Sequence, residues 1–168
     1  NTLAHHKSLN YDDRGSIAKS GKIIPELLKE WDDFSFLKKA YPKSLGIEAI
    51  EPEILAKIDL SQYSIEDMLA TAVEHIANHI ANALISAKNE GKVLLTGGGA
   101  FNDFLVERIQ SKLSPTFELL VGDEILVNYK EALIFAFLGW CKIHNINNVL
   151  SSVTGSKTDG CHGILFEP

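Results

Sequence analysis

Apolar positions recur at three- and four-residue steps over three stretches of the chain, and each predicts an amphipathic helix. In the first, Ile17, Ala18, Ile23, Ile24, Leu27, Leu28 and Trp31 keep the period. Gly21 interrupts it, and Pro25 either kinks it or opens a second segment. The longest stripe joins Ile65, Leu69, Ala72, Val73, Ile76, Ile80, Leu84 and Ala87. Ser64 is placed to cap that helix, Glu66 and Asp67 fall in its first turn where the dipole favours them, and Gly91 stops it. Phe104, Leu105, Ile109 and Leu113 mark the third, which Pro115 ends. A fourth stretch, Tyr129 to His144, is apolar almost all round, which predicts a helix buried on several sides. Two short apolar runs, Val93–Leu95 and Phe117–Val121, read as strands.

Shorter pieces fill the gaps. Residues 1–9 read as the tail of a helix anchored by Leu3 and Leu9, and Asp12 or Asp13 is a candidate N-cap. Around Tyr41–Gly46 a structured loop is expected, with Pro42 pushing Tyr41 out of the α region and Gly46 permitting an unusual backbone angle. Glu48–Ile58 reads as a short helix, with Pro52 in its first turn or at a break. Val149–Phe166 has turn chemistry at Gly155 and Asp159-Gly160. Helix, strand, glycine turn, helix, strand, helix is an α/β order with parallel strands and helical crossovers. Two or three strands are few for so many helices, so further N-terminal strands are expected to be missing.

The 168 residues suffice for one domain with a proper core. At 45% hydrophobic and 23% charged the composition is that of an ordinary globular protein. A net charge of −6 without a basic cluster argues against a nucleic-acid surface. No apolar run is long enough to span a membrane, and the first seven residues lack the apolar core of a signal peptide. The chain opens on Asn1 rather than Met and reads as part of something larger. Cys141 and Cys161 form no CxxC pair, and reduced thiols in a cytoplasmic protein are the expectation.

Most of the chemistry concentrates at Val93-Leu94-Leu95-Thr96-Gly97-Gly98-Gly99-Ala100-Phe101-Asn102. Three successive glycines cost chain entropy, so they belong where φ is positive or where something must approach the backbone. A strand before them and a helix start after them would suit a phosphate or ribose, with a tight packing turn as the plain alternative. The pattern is neither GxGxxG nor a P-loop, because Ala100-Phe101-Asn102 follows and no GK[ST] is present. His75 and His79 are four apart, a spacing that can hold zinc, but no third ligand is near them in sequence and no metal site is expected. Glu131 opens the all-apolar helix, either as a dipole partner or as an acceptor for sugar hydroxyls, while Asp123 and Glu124 read as a solvated loop.

Four segments occur in the order and approximate spacing of one family. They are Pro42-Lys43-Ser44-Leu45-Gly46-Ile47-Glu48, Leu94–Asn102, Glu131-Ala132-Leu133-Ile134-Phe135-Ala136 and Ser152-Val153-Thr154-Gly155-Ser156. Together with Tyr11-Asp12, Gly15 and Ala18-Lys19-Ser20-Gly21 they cover nearly the whole chain, which resembles the anhydro-N-acetylmuramic acid kinases. The resemblance implies the fold of the sugar kinase, heat-shock protein and actin superfamily, in which two ribonuclease H-like α/β lobes close over ATP. Residues 1–168 would be the C-terminal lobe, helix-rich with a small sheet, lacking the first lobe and the first strands of the second.

It further implies that Gly97, Gly98, Gly99 and Asn102 contact the nucleotide, at adenosine and ribose more than at the terminal phosphate, and that Glu131 lies near the sugar. The implied reaction opens the 1,6-anhydro ring of 1,6-anhydro-N-acetylmuramic acid with water and phosphorylates O6 from ATP and magnesium. The family's phosphate loop belongs to the first lobe and its catalytic aspartate would fall just before Asn1, so no catalytic residue is assigned here and the isolated chain is expected to be inactive. ATP and Mg2+ would be held mainly by the missing lobe, and a cytoplasmic homodimer is implied. Ile47 departs from the arginine that many members carry. Two other readings compete: a non-catalytic binding or oligomerisation lobe of the same fold, and an NAD-dependent enzyme. The latter suffers because no acidic residue follows the glycines in a suitable pattern, Gly122-Asp123 being the nearest candidate.

Overall fold

The computed structural model describes residues 1–40 and 43–166. The elements run α1 (Thr2–His5), α2 (Ser16–Ser20), α3 (Pro25–Asp32), α4 (Ile47–Glu53), α5 (Ile65–Ala87), β1 (Gly91–Leu95), α6 (Asp103–Gln110), β2 (Phe117–Val121), α7 (Glu124–Ile143) and α8 (Ser151–Thr154). They form two compact units, residues 1–122 and 123–168. The result is a helix-rich α/β chain whose two named strands pair in parallel, from Gly91 opposite Phe117 to Leu95 opposite Val121.

In the first unit α5 is the spine. Ser64 caps it as expected, its Oγ accepting the Asp67 N–H at 3.1 Å. Its N-terminal half joins Met68 to Leu3, Ile24, Leu27 and Trp31, and its C-terminal half joins Ala77 and Ala81 to Ile109, Leu113 and Phe117. The stripe read from the sequence is only partly the buried face. Val73 is buried but Ile76 is exposed, and Met68, Ala70, Thr71, Ala77 and Ala81 carry the contact instead. The reason is that α5 packs against α2, α3 and α6 at once. Small residues let those neighbours come close, so the buried arc is wider than an apolar stripe reveals.

The first expected helix is two, α2 and α3, and Pro25 sits in the first turn of α3, where its missing N–H costs nothing. The segment between them is tied down by Thr71, whose Oγ1 accepts the Ile24 N–H at 2.9 Å and donates to the Asp67 carbonyl at 2.7 Å. Asp12 does serve the start of α2, accepting the Ile17 and Ala18 amides at 2.8 and 3.0 Å. Leu3 is buried, whereas Leu9 is exposed and anchors nothing. Pro52 stands next to a break rather than in a first turn: α4 ends at Glu53, and a separate 3-10 turn over Leu55–Lys57 follows in place of one continuous helix. Gly46 adopts ordinary extended geometry at φ −105°, so no unusual angle is needed. Lys43 folds back, donating to the Phe36 and Leu37 carbonyls at 3.2 Å each. The expectation for Tyr41 and Pro42 falls outside the described residues.

One face of the two-stranded sheet, through Val93, Phe117 and Leu119, packs on the α5–α6 cluster. Leu94 and Leu120 point the other way and are exposed.

In the second unit α7 begins earlier than expected. Asp123, read as a solvated loop residue, is its N-cap, accepting the Leu126 N–H at 2.7 Å. Val127 and Cys141 are buried, but Leu133, Phe135, Phe137, Trp140 and Ile143 are at least half exposed, contrary to a helix covered on several sides. α8 ends at Gly155, which takes the left-handed conformation at φ +73°. Asp159 accepts the Ser151 amide and hydroxyl at 2.7 and 2.6 Å, and these bonds hold its carboxyl below the usual range. Both cysteines are free thiols.

Candidate functional site

β1 ends at Leu95, whose carbonyl accepts the Gly122 N–H just past β2 at 3.0 Å. The chain then turns at Gly97, with φ +80° and ψ 170°. That region is open essentially to glycine alone. A short 3-10 turn over Gly98–Phe101 follows, closed by bonds from the Ala100 and Asn102 amides to the Gly97 and Gly99 carbonyls. α6 therefore does not start directly on the glycines. Its N-cap is Asn102, whose Oδ1 accepts the Leu105 N–H at 2.9 Å.

Of the three glycines only Gly97 has a positive φ. Gly98 and Gly99 serve a different purpose. Both are exposed; a Cβ on Gly98 would meet nothing within 4 Å, and one on Gly99 would only graze Leu105 Cδ2 at 4.0 Å. The turn thus presents bare backbone to open space beside a helix start, an arrangement suited to a ligand lying flat on it.

A segment that sequence reasoning did not connect with the turn holds it in place. Arg14 pairs with Asp103 at 2.8 Å and Lys19 with Glu107 at 2.7 Å. Between them Gly15, at φ +73°, lies directly against Asn102. A Cβ at Gly15 would collide with the Asn102 side-chain oxygen and with Phe104 Cβ. Gly15→Ala is therefore expected to cost about 2 kcal/mol in chemical denaturation, from left-handed strain and displacement of the Asn102 cap. Arg14→Ala, which removes an exposed ion pair, is expected to leave the denaturation midpoint almost unchanged.

The residues expected from sequence separate into two groups. Gly97, Gly98, Gly99 and Asn102 share one turn of the first unit. Glu131 lies in the second, exposed and two turns into α7, so it is not the helix-opening carboxylate that the sequence suggested.

The family model for anhydro-N-acetylmuramic acid kinase matches residues 1–168. The chain belongs to the anhydro-N-acetylmuramic acid kinase family. A relative of that name from Actinobacillus pleuropneumoniae serotype 7 is 37% identical over 167 residues, covering 96% of this chain and 45% of its own length. Relatives of the same name from Aliivibrio fischeri and a Sulfurovum species are 32% and 33% identical, over 98% of this chain. The chain spans somewhat less than half the length of these curated relatives, at 45% to 46%. The glycine turn is thus a feature of a chain that aligns end to end with part of a kinase family.

Proposed function

We propose that this chain is the nucleotide-contacting part of a sugar kinase that opens the 1,6-anhydro ring of 1,6-anhydro-N-acetylmuramic acid with water and phosphorylates O6 from ATP. The observation that carries the reading is the family match along the whole chain. The fold assignment that goes with it is the C-terminal lobe of an actin-like, ribonuclease H-like ATPase.

Within this chain the Gly97–Gly99 backbone would lie against adenosine and ribose, and Asn102 would fix the helix start beside them. The open space over Gly98 supports that role. Magnesium does not fit the turn equally well. The carboxylate that follows the turn in sequence, Asp103, is already engaged by Arg14 at 2.8 Å, so no magnesium ligand is assigned to the turn. Glu131 is proposed to accept hydrogen bonds from the sugar. A general base that takes a proton from water belongs within hydrogen-bond reach of it, and none of these residues is given that task.

The test is an assay of the full-length protein with ATP, magnesium and the anhydro sugar, with products read by mass spectrometry. The expected product is the ring-opened sugar 6-phosphate, carrying one oxygen from water. A protein that binds the sugar without consuming ATP would favour the second reading, a non-catalytic binding or oligomerisation lobe. The exposed apolar residues of α7 give that reading its support.

A further inference from the structure

The structure supplies what the His75–His79 spacing lacks in sequence. His75 and His79 stand one turn apart on α5, their ring centroids 4.7 Å apart. Asp32, the last residue of α3, places Oδ1 2.7 Å from His75 Nδ1 and 3.0 Å from His79 Nε2. We propose that Asp32, His75 and His79 form a binding site for one divalent transition-metal ion, and that zinc suits this ligand set best.

Three features carry the assignment. First, the three donor atoms lie within 4.8 Å of one another and come from two helices of one unit, so the backbone already holds them together. Zinc bonds of about 2.0–2.2 Å put tetrahedral ligands about 3.3 Å apart, so small side-chain rotations open the cluster enough to admit the ion. Second, the surroundings are asymmetric. The His75 side chain is only 13% exposed and meets the Trp31 ring edge-on, whereas His79 and Asp32 are 31% and 39% exposed. The ion would have a dry wall on one side and an entry path on the other, with room for water as a fourth ligand. Third, two imidazoles and one carboxylate are the nitrogen–oxygen set that zinc accepts, and it differs from the all-oxygen shell that magnesium or calcium prefers.

Without metal, Nδ1 of His75 and Nε2 of His79 both lie within hydrogen-bond distance of the single Asp32 oxygen. Binding turns those nitrogens into lone-pair donors. A proton on either of these nitrogens moves through water to the other nitrogen of the same ring or is released to solvent as the metal binds. The bound ion would then link α3 to α5 and stabilise the first unit by mass action.

The test is a titration of metal-free protein with cobalt(II), followed by displacement with zinc(II). The expected result is one cobalt per chain with visible absorption of a low-coordinate site, loss of that absorption on adding zinc, and an unfolding temperature that rises with zinc. Replacing both His5 and His6 with Gln, the other adjacent histidine pair of the chain, should change none of this. Either His79→Gln or Asp32→Asn should weaken cobalt binding more than about tenfold. His79 and Asp32 are partly exposed, and the metal-free unfolding temperature of each variant checks its fold. Absence of saturable binding, binding unaltered in both variants, or binding abolished by the His5/His6 replacement would each overturn the proposal.

Discussion

Glu74→Ala is expected to lower the unfolding free energy of the chain by about 3 kcal/mol, the low end of the cost of breaking a buried ion pair. Glu74 sits on the buried face of α5 at 8% exposure. Its carboxylate accepts two bonds from Arg108 on α6, at 2.8 and 3.2 Å, and one from Lys112 just beyond that helix. Burial is the largest single influence and pushes its pKa up. The hydrogen bonds and charges of Arg108 and Lys112 together outweigh it, so the carboxyl is held below the usual range. Removing Glu74 leaves two cations facing the α5–α6 interface with no counter-charge. Their own side chains are 32% and 19% exposed, so part of the loss is recovered by turning to water, which is why the low end applies. Because the folded pKa is depressed, the contribution of Glu74 is complete above its unfolded pKa and disappears as pH falls through its folded value. Urea denaturation of wild type and variant at neutral and acid pH measures both effects. Near-equal midpoints at neutral pH would show that the network contributes nothing.

That network also shows where the sequence stops being readable. The α5 N-cap and both strands follow from local chemistry, because the Ser64 side chain bonds to its own neighbour. By contrast, α5 stops at Ala87 rather than at Gly91, which already opens β1, and α6 starts at the Asn102 cap rather than on the glycines. Which arc of α5 is buried depends on how many helices pack against it. A stripe drawn through Ile76 and Ile80 therefore missed a glutamate that is buried only because Arg108 and Lys112 come from elsewhere. Asp32 is missed as a partner of His75 and His79 for the same reason, since more than forty positions separate it from either histidine along the chain. The sequence pattern places the start of α7 too late because Asp123 and Glu124 look like a solvated loop until Asp123 is seen to cap. At the glycine turn, the sequence identified the bare backbone. It did not reveal that Gly97 alone of the three carries a positive φ, or that Gly15, from a distant segment, packs against Asn102 at the end of the turn.

The separate roles of the glycines permit a test in which stability and binding come apart. Gly97→Ala forces a side chain into a glycine-only region and is expected to cost about 1–3 kcal/mol of stability. A Cβ at Gly98 would meet no neighbour within 4 Å, so Gly98→Val is expected to leave the fold intact while filling the space where a nucleotide would lie. The central claim is that this turn contacts the nucleotide of a kinase. Calorimetric titration of the full-length protein with ATP, wild type against Gly98→Val, tests it most directly. The account predicts an unchanged unfolding temperature and an ATP affinity reduced more than about tenfold, a loss of about 1.4 kcal/mol or more. An ATP affinity equal to that of wild type in a folded Gly98→Val protein would contradict it.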